Sequence, residues 1–105
     1  MEVVKIVVTV PLSHNETVRE AIGKAGGGKV GNYTFCSFSI IGTGRFKPEE
    51  GSNPFIGEQG KTEHVEEERV EITCGRNEAR IVVDAIRKVH PYEEPAIDVY
   101  SLISL

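Results

Sequence analysis

The sequence predicts an α+β sandwich: two helices on one face of a four-stranded antiparallel sheet, in the chain order β-α-β-β-α-β. Three observations predict it. Residues 3–10, "VVKIVVTV", are almost continuously β-branched. Two later segments repeat apolar residues at helical spacing, and the remaining apolar segments alternate with a period of two. At 105 residues and 39% hydrophobic content the chain has enough apolar surface for one domain spanning 1–105 with a two-layer core.

In the first strand Val4, Ile6, Val8 and Val10 make one face, Val3 and Val7 contribute to the other, and Pro11 closes it. Ser13 followed by Glu16 reads as a capping box for a helix carrying Val18, Ala21, Ile22 and Ala25 on its apolar side. Gly26, Gly27 and Gly28 end that helix. A second strand is expected from about Tyr33 to Ile41, with Cys36, Phe38 and Ile40 alternating with Phe35, Ser37, Ser39 and Ile41. Gly42 to Gly60 follows without periodicity, five glycines and two prolines among Phe46, Phe55 and Ile56. A loop of that length in a small domain is usually functional or disordered, and its aromatic residues argue against disorder.

The third strand, residues 62–74, changes character halfway. Val70, Ile72 and Cys74 alternate with Arg69, Glu71 and Thr73, while the earlier half is charged and is expected to project beyond the domain body. Asn77 is placed as the cap of a second helix bearing Ala79, Val82, Ala85, Ile86 and Val89, which Pro91 stops at or before His90. A last strand runs from about Ala96 to Leu102. This is the ferredoxin-like order. It leaves one sheet face uncovered, with Val3, Val7, Phe35 and Ile41 expected there, and an apolar face of that kind implies self-association.

Charge narrows the function classes. Sixteen acidic residues against twelve basic give a net charge of −4, and no Lys/Arg run exceeds two, so a nucleic-acid partner is not expected. No apolar stretch approaches membrane-spanning length, and the opening strand lacks the features of a signal peptide. Two cysteines are too few for a secreted disulfide scaffold, so a cytoplasmic protein with reduced thiols is expected.

The motifs that carry chemistry are few. "GKAGGGKVGN" lacks the phosphate-loop spacing and follows a helix, so it reads as a C-cap and turn. Cys36 and Cys74 fall on apolar positions of strands that would pair as a hairpin. They read as buried thiols, with a cross-strand disulfide or two-thiol metal pair as the alternative. No H-x-x-x-H or H-E-x-x-H pair is present. Glu66, Glu67 and Glu68 read as a solvated charged arm near Lys61 and Arg69 rather than a metal site.

"VHPYEEPAID", residues 89–98, permits two readings. In the structural one Pro91 breaks the helix, Tyr92 packs its ring and Pro95 sets the angle into the last strand. In the chemical one the imidazole of His90 and the carboxylates of Glu93 and Glu94 sit at the sheet edge within reach of a ligand or metal.

"GNYTFCSFS", "GTGRF", "NPFIGE" and "HPYEEPA" together resemble the YqfO-type domain of NGG-interacting-factor-three-like proteins, also called GTP cyclohydrolase I type 2 homologues. The "HPYE-P" core is also similar to the divalent-cation tolerance protein CutA, and the fold resembles CutA and the PII signalling proteins. The resemblance covers nearly the whole chain. It implies a homo-oligomer, a trimer, with residues 42–60 in the place of the PII-type T-loop. The dinuclear metal site of the full-length family is built by halves flanking this domain, and those halves are not in the sequence. Neither that site nor a cyclohydrolase activity therefore carries over.

By that likeness ligands bind in clefts between subunits near the long loop. The residues it points to are Asn32, Tyr33, Cys36, Arg45, His90, Tyr92, Glu93 and Glu94, with Arg45 for an anion and His90 with Glu94 for a divalent metal ion. The expected function is a non-enzymatic PII/CutA-like module that binds a small molecule, metal ion or partner protein. Two alternatives stand beside it. One is a small enzyme with Glu93 or Glu94 as base and His90 as acid, for which no nucleophile is present. The other is a structural subunit acting with a separately encoded partner.

Overall fold

The computed structural model describes residues 2–105. The elements are β1 (Val3–Pro11), α1 (Asn15–Lys24), β2 (Phe38–Phe46), β3 (Glu63–Gly75), α2 (Ala79–Val89) and β4 (Ile97–Ser101), with a 3-10 turn leading into each helix. The sheet order is β2-β3-β1-β4 and every pairing is antiparallel, the ferredoxin-like arrangement.

The period-two pattern builds the core. Val4, Ile6, Val8 and Val10 stand opposite Cys74, Ile72, Val70 and Glu68 in the β1–β3 register, so this set shares one face. Val18 and Ile22 of α1 and Val82, Val83 and Ile86 of α2 close over it as a single buried cluster. Each fully buried Val or Ile contributes about 1.5–3 kcal/mol relative to exposure. Cys74 belongs to this cluster, and burial pushes its thiol pKa up.

The opposite face carries Lys5, Val7 and Thr9 of β1, Glu67, Arg69 and Glu71 of β3, and Asp98 and Tyr100 of β4. Phe38 and Ile40 join it from β2 and are 64% and 54% exposed. Val3 and Val7 lie there as expected, but Phe35 and Ile41 do not. Ile41 pairs with Glu68, on the parity of the helix-covered face. Phe35 precedes the strand, turns the chain at φ 58 and lays its ring over Gly23 of α1, where a Cβ would stand 2.0 Å from it. The N–H of Cys36 then goes to the carbonyl of Gly28 at 2.9 Å, and regular pairing begins only at Phe38.

That detour also separates the cysteines. Cys36 lies outside β2, Cys74 stands opposite Val4, and both are free thiols. The glycine run closes α1 as expected. Gly28 has a positive φ of 83, and a Cβ there would meet the Cys36 carbonyl oxygen at 2.3 Å, so the crossing requires glycine.

Both expected helix caps are replaced. The Ser13 hydroxyl is hydrogen-bonded to Nδ1 of His14 at 2.8 Å instead of capping α1, because a 3-10 turn intervenes. At α2 the Glu78 carboxylate accepts the Gly75 N–H at 3.3 Å, and Asn77 makes no capping bond. The long connection is shorter than expected, since β2 continues to Phe46 and β3 starts at Glu63. β3 residues 63–66 pair with β2 alone, so this end of the hairpin does project past β1. Glu67 and Glu68, however, are buried rather than solvated, at 7% and 6% exposure.

Candidate functional site

The "HPYEEP" segment is held by backbone before any ligand is considered. Pro91 disfavours helical geometry at the residue before it, and His90 is extended at φ −70, ψ 134, which ends α2. β4 pairs with β1 only as far as Val8, so the next carbonyl along β1, that of Thr9, lies beyond the β4 ladder. Nε2 of His90 donates to that carbonyl at 2.8 Å, while Nδ1 accepts the Tyr92 N–H at 3.1 Å. A backbone N–H can only donate, so these partners fix the neutral Nε2–H tautomer. The ring is 8% exposed. Burial pushes its pKa down, against the upward pull of the Thr9 hydrogen bond and the Glu67 charge.

This places Tyr92. Its hydroxyl donates to Glu67 Oε2 at 2.7 Å, and its ring packs edge-on to Phe46 at 5.8 Å and tilted to Phe55 at 6.5 Å. Burial first, then the hydrogen bond to Glu67, holds the phenol pKa well above the ordinary tyrosine range. Phe55 continues the aromatic chain to His14 at 5.5 Å. Residues 47–62 are thus tied back to the domain, with a further bond from Asn53 N–H to Glu93 at 2.7 Å, and the segment closes on itself through Gly60 N–H to the Pro48 carbonyl at 2.7 Å.

Between the Tyr92 turn and the end of β2 lies a cleft of about 470 Å³. Its floor is made by Gly42 and Gly44, and Arg45, Glu67, Arg69, Tyr92 and Glu94 stand around it. It opens on the sheet face that no helix covers, because Gly42 stands opposite Glu67 in the hairpin register. Gly44 is needed there: a Cβ would lie 2.2 Å from Glu67 Oε1. At Gly42 a Cβ would meet no atom within 4 Å.

Of the residues expected at a site, Arg45, Tyr92 and Glu94 line this cleft. Glu93 points instead at the 47–62 segment through Asn53 and borders a neighbouring groove of about 260 Å³. Cys36 borders a separate cavity of about 160 Å³ beside α1, and Asn32 and Tyr33 lie in the exposed turn bridged by Val30 and Tyr33. Cys36 precedes β2 and Arg45 lies near its far end, so within one chain the eight residues do not converge. His90 and Glu94 do not form a metal pair in this geometry, since both ring nitrogens are engaged by backbone. Among the described residues no group of three or more His, Cys, Asp or Glu is placed to hold a metal ion.

Glu67 is the site residue that sequence reasoning missed. A signal was present: strand alternation puts it on the parity of Arg69 and Glu71, opposite to Val70 and Ile72, while its run of three glutamates suggested solvent.

No protein-family model matches the chain. The protein named GTP cyclohydrolase 1 type 2 homolog from Halalkalibacterium halodurans is 55% identical over 98 residues, which is 93% of this chain and 26% of that protein. The solved structure of a Bacillus cereus protein related to NIF3 is 47% identical, with a TM-score of 0.85, over 98% of this chain and 26% of the other. The Archaeoglobus fulgidus periplasmic divalent cation tolerance protein CutA has a TM-score of 0.67 at 16% identity, over 95% of this chain and 83% of that one. Bacillus subtilis GlnK gives 0.60 at 16%, over 97% and 86%. These last two share the fold. The chain spans about a quarter of the length of the curated relatives it matches. Over nearly its whole length it is similar to that one segment of the GTP cyclohydrolase 1 type 2 homologues and of the NIF3-related protein, and it has the CutA/PII-like fold.

Proposed function

We propose that the chain is a homo-oligomeric PII/CutA-like module that binds a small ligand and does not itself catalyse a reaction. The observation that carries this reading is the glycine-floored cleft on the uncovered sheet face, walled by the Tyr92 turn. A volume of about 470 Å³ lies within the usual range for small-molecule sites, roughly 300–1,000 Å³. Arg45, Tyr92 and Glu94 are its proposed ligand contacts, and His90 positions the turn that carries Tyr92. An acid–base role for His90 finds no support, because its two nitrogens already serve Thr9 and Tyr92.

Self-association is supported by the same face, where Phe38, Ile40 and Tyr100 are exposed beside the cleft. A trimer is the stoichiometry that the CutA and PII likeness implies, and a docked copy would form one wall of the cleft. The free thiols Cys36 and Cys74 suit the reducing, cytoplasmic setting this reading assumes. Because the relatives are far longer, a separately encoded partner is a second reading, tested by co-purification.

The direct test combines light scattering with titration of the ¹⁵N-labelled chain by nucleotides, copper and zinc. Shifts confined to amides 40–46 and 92–96, in a particle larger than the monomer, are expected. A monomer mass overturns the oligomer, and the absence of any shift at those amides overturns the cleft as a binding site.

A further inference from the structure

Glu67 is buried at 7% exposure, yet no Lys, Arg or His side chain among the described residues forms an ion pair with it. Its one hydrogen-bond partner is the Tyr92 hydroxyl, on Oε2. Among the described residues Oε1 makes no hydrogen bond and no fully buried side-chain polar atom lacks a partner, so Oε1 keeps an open path into the cleft that Glu67 lines. Taking a carboxylate out of water without a compensating charge is costly, and proteins ordinarily pair such a group. This fold does so one residue away: Glu68, equally buried, receives Arg19 and Asn15. Arg69 shares the face of Glu67 but gives its Nε to Glu71 at 3.0 Å.

The surroundings of Oε1 are shaped for an incoming group. The absent side chain at Gly44 lets the carboxylate lie against the strand, and the absent side chain at Gly42 leaves the space above it empty. The aromatic rings of Tyr92 and Phe46 stand beside that space, and an aromatic face attracts a cation. Arg45 borders the cleft, but it stands opposite His64 on the strand parity of Ile41, opposite to that of Gly42 and Gly44, so it brings no charge to the open face.

We infer that the cleft binds a small organic cation, a primary ammonium group seated on Glu67. The inference rests on the cleft being a binding site and names the chemistry it selects. A divalent metal ion fits less well, because it needs several oxygen ligands and only Glu67 and Glu94 bring carboxylates to the cleft. An ammonium group donates three hydrogen bonds and is satisfied by one open carboxylate oxygen with backbone or water around it.

The test titrates the ¹⁵N-labelled full chain with primary alkylamines of one to five carbons, alongside matched ω-amino carboxylates, plain carboxylates and nucleotides. Amines are expected to shift the amides of Gly42, Gly44 and Tyr92, and carboxylates without an amine to leave them unmoved. Glu67→Gln, which keeps an acceptor for the Tyr92 hydroxyl, is expected to weaken binding at least tenfold. Gly42→Ala, whose methyl meets no atom of the protein, should narrow the cleft and weaken binding without disturbing the fold. Equal shifts from carboxylates lacking the amine, or unchanged binding in Glu67→Gln, overturn the inference. So does a changed oligomer mass in Glu67→Gln, which would mean that a neighbouring copy supplies the missing cation. If nucleotides move the cleft amides and amines do not, the cleft stands and the ammonium seat falls; if no probe moves them, both fall.

Discussion

Glu67 and Glu68 are adjacent on one strand and equally buried, and the molecule treats them in opposite ways. Glu68 turns toward the helices, where Arg19 and the Asn15 amide at 3.0 Å satisfy it. Burial alone would raise its pKa, but the hydrogen bonds from Arg19, Ser39 and Asn15 outweigh that and hold the carboxyl below its ordinary range. Glu67 turns toward the uncovered face and meets one phenol, two glycines and a cleft. In a two-layer sandwich the pleat alone sends neighbouring residues to different faces, so two like residues acquire different chemistry: Glu68 fastens α1 to the sheet, and Glu67 stays available.

The largest effect should come from breaking the fastened side. Removing one partner of a buried ion pair costs about 3–5 kcal/mol. Arg19 is about a third exposed, so solvent screening reduces this to roughly 2–3 kcal/mol for Arg19→Ala, read from the urea midpoint. Glu67→Gln should change the same midpoint by less than about 1 kcal/mol, since no ion pair is lost. A loss in Glu67→Gln as large as that in Arg19→Ala would remove the contrast.

A pair of glycines sharpens it next. Gly44→Ala places a methyl group against the Glu67 carboxylate, which Tyr92 holds in place, and should cost about 1–2 kcal/mol as that hydrogen bond is displaced. Gly42→Ala should stay within about 0.5 kcal/mol, because nothing lies in the way. Equal costs at the two positions would place Glu67 elsewhere than over Gly44.

The acid side of the stability curve separates the groups further. His90 has a folded pKa below its ordinary 6.5, so the unfolded chain takes up that proton first as pH falls. Its stabilisation is complete above about pH 6.5 and is lost as pH drops toward the folded value. Glu68 behaves likewise lower down: its contribution is present above the ordinary 4.5 and is lost as pH falls through its depressed folded value. Thermal melts against pH should therefore show two descending segments. His90→Gln is expected to flatten only the upper one and Arg19→Ala only the lower.

Much of this was legible in the sequence because alternation and helical spacing are direct records of burial. The core positions from Val4 to Val10 and from Val70 to Cys74 emerged from that pattern, as did the helix stop at Pro91. The start of β2 was not legible. The positive φ at Phe35 and the Cys36–Gly28 bond are tertiary features, and they reset the parity that had placed Phe35 and Ile41 on the open face. The caps misled because 3-10 turns leave Ser13 and Asn77 off the helix ends. His90, Tyr92 and Arg45 stood out as residue types and "GTGRF" as a motif, but the role of His90 as a backbone clasp depends on Thr9, and that of Glu67 as the cleft carboxylate on its cross-strand placement over Gly42 and Gly44, neither of which a local motif reveals.

The smallest effect is spectroscopic and tests the open side alone. Burial and the Glu67 carboxylate keep the Tyr92 phenol protonated above the ordinary tyrosine value of 10.0. The native state thus retains a proton that the unfolded chain releases, and this contribution is full below about pH 10 and declines as pH rises beyond it. The difference in 295 nm absorbance between the protein and Tyr92→Phe isolates that phenol. In Glu67→Gln the acceptor remains but the negative charge is gone, so Tyr92 should ionise at lower pH while still above the ordinary range, because its burial persists. A titration unmoved by Glu67→Gln would mean that no charge sits beside the phenol. Glu67 would then be no counterpart to Glu68, and no seat for a cation.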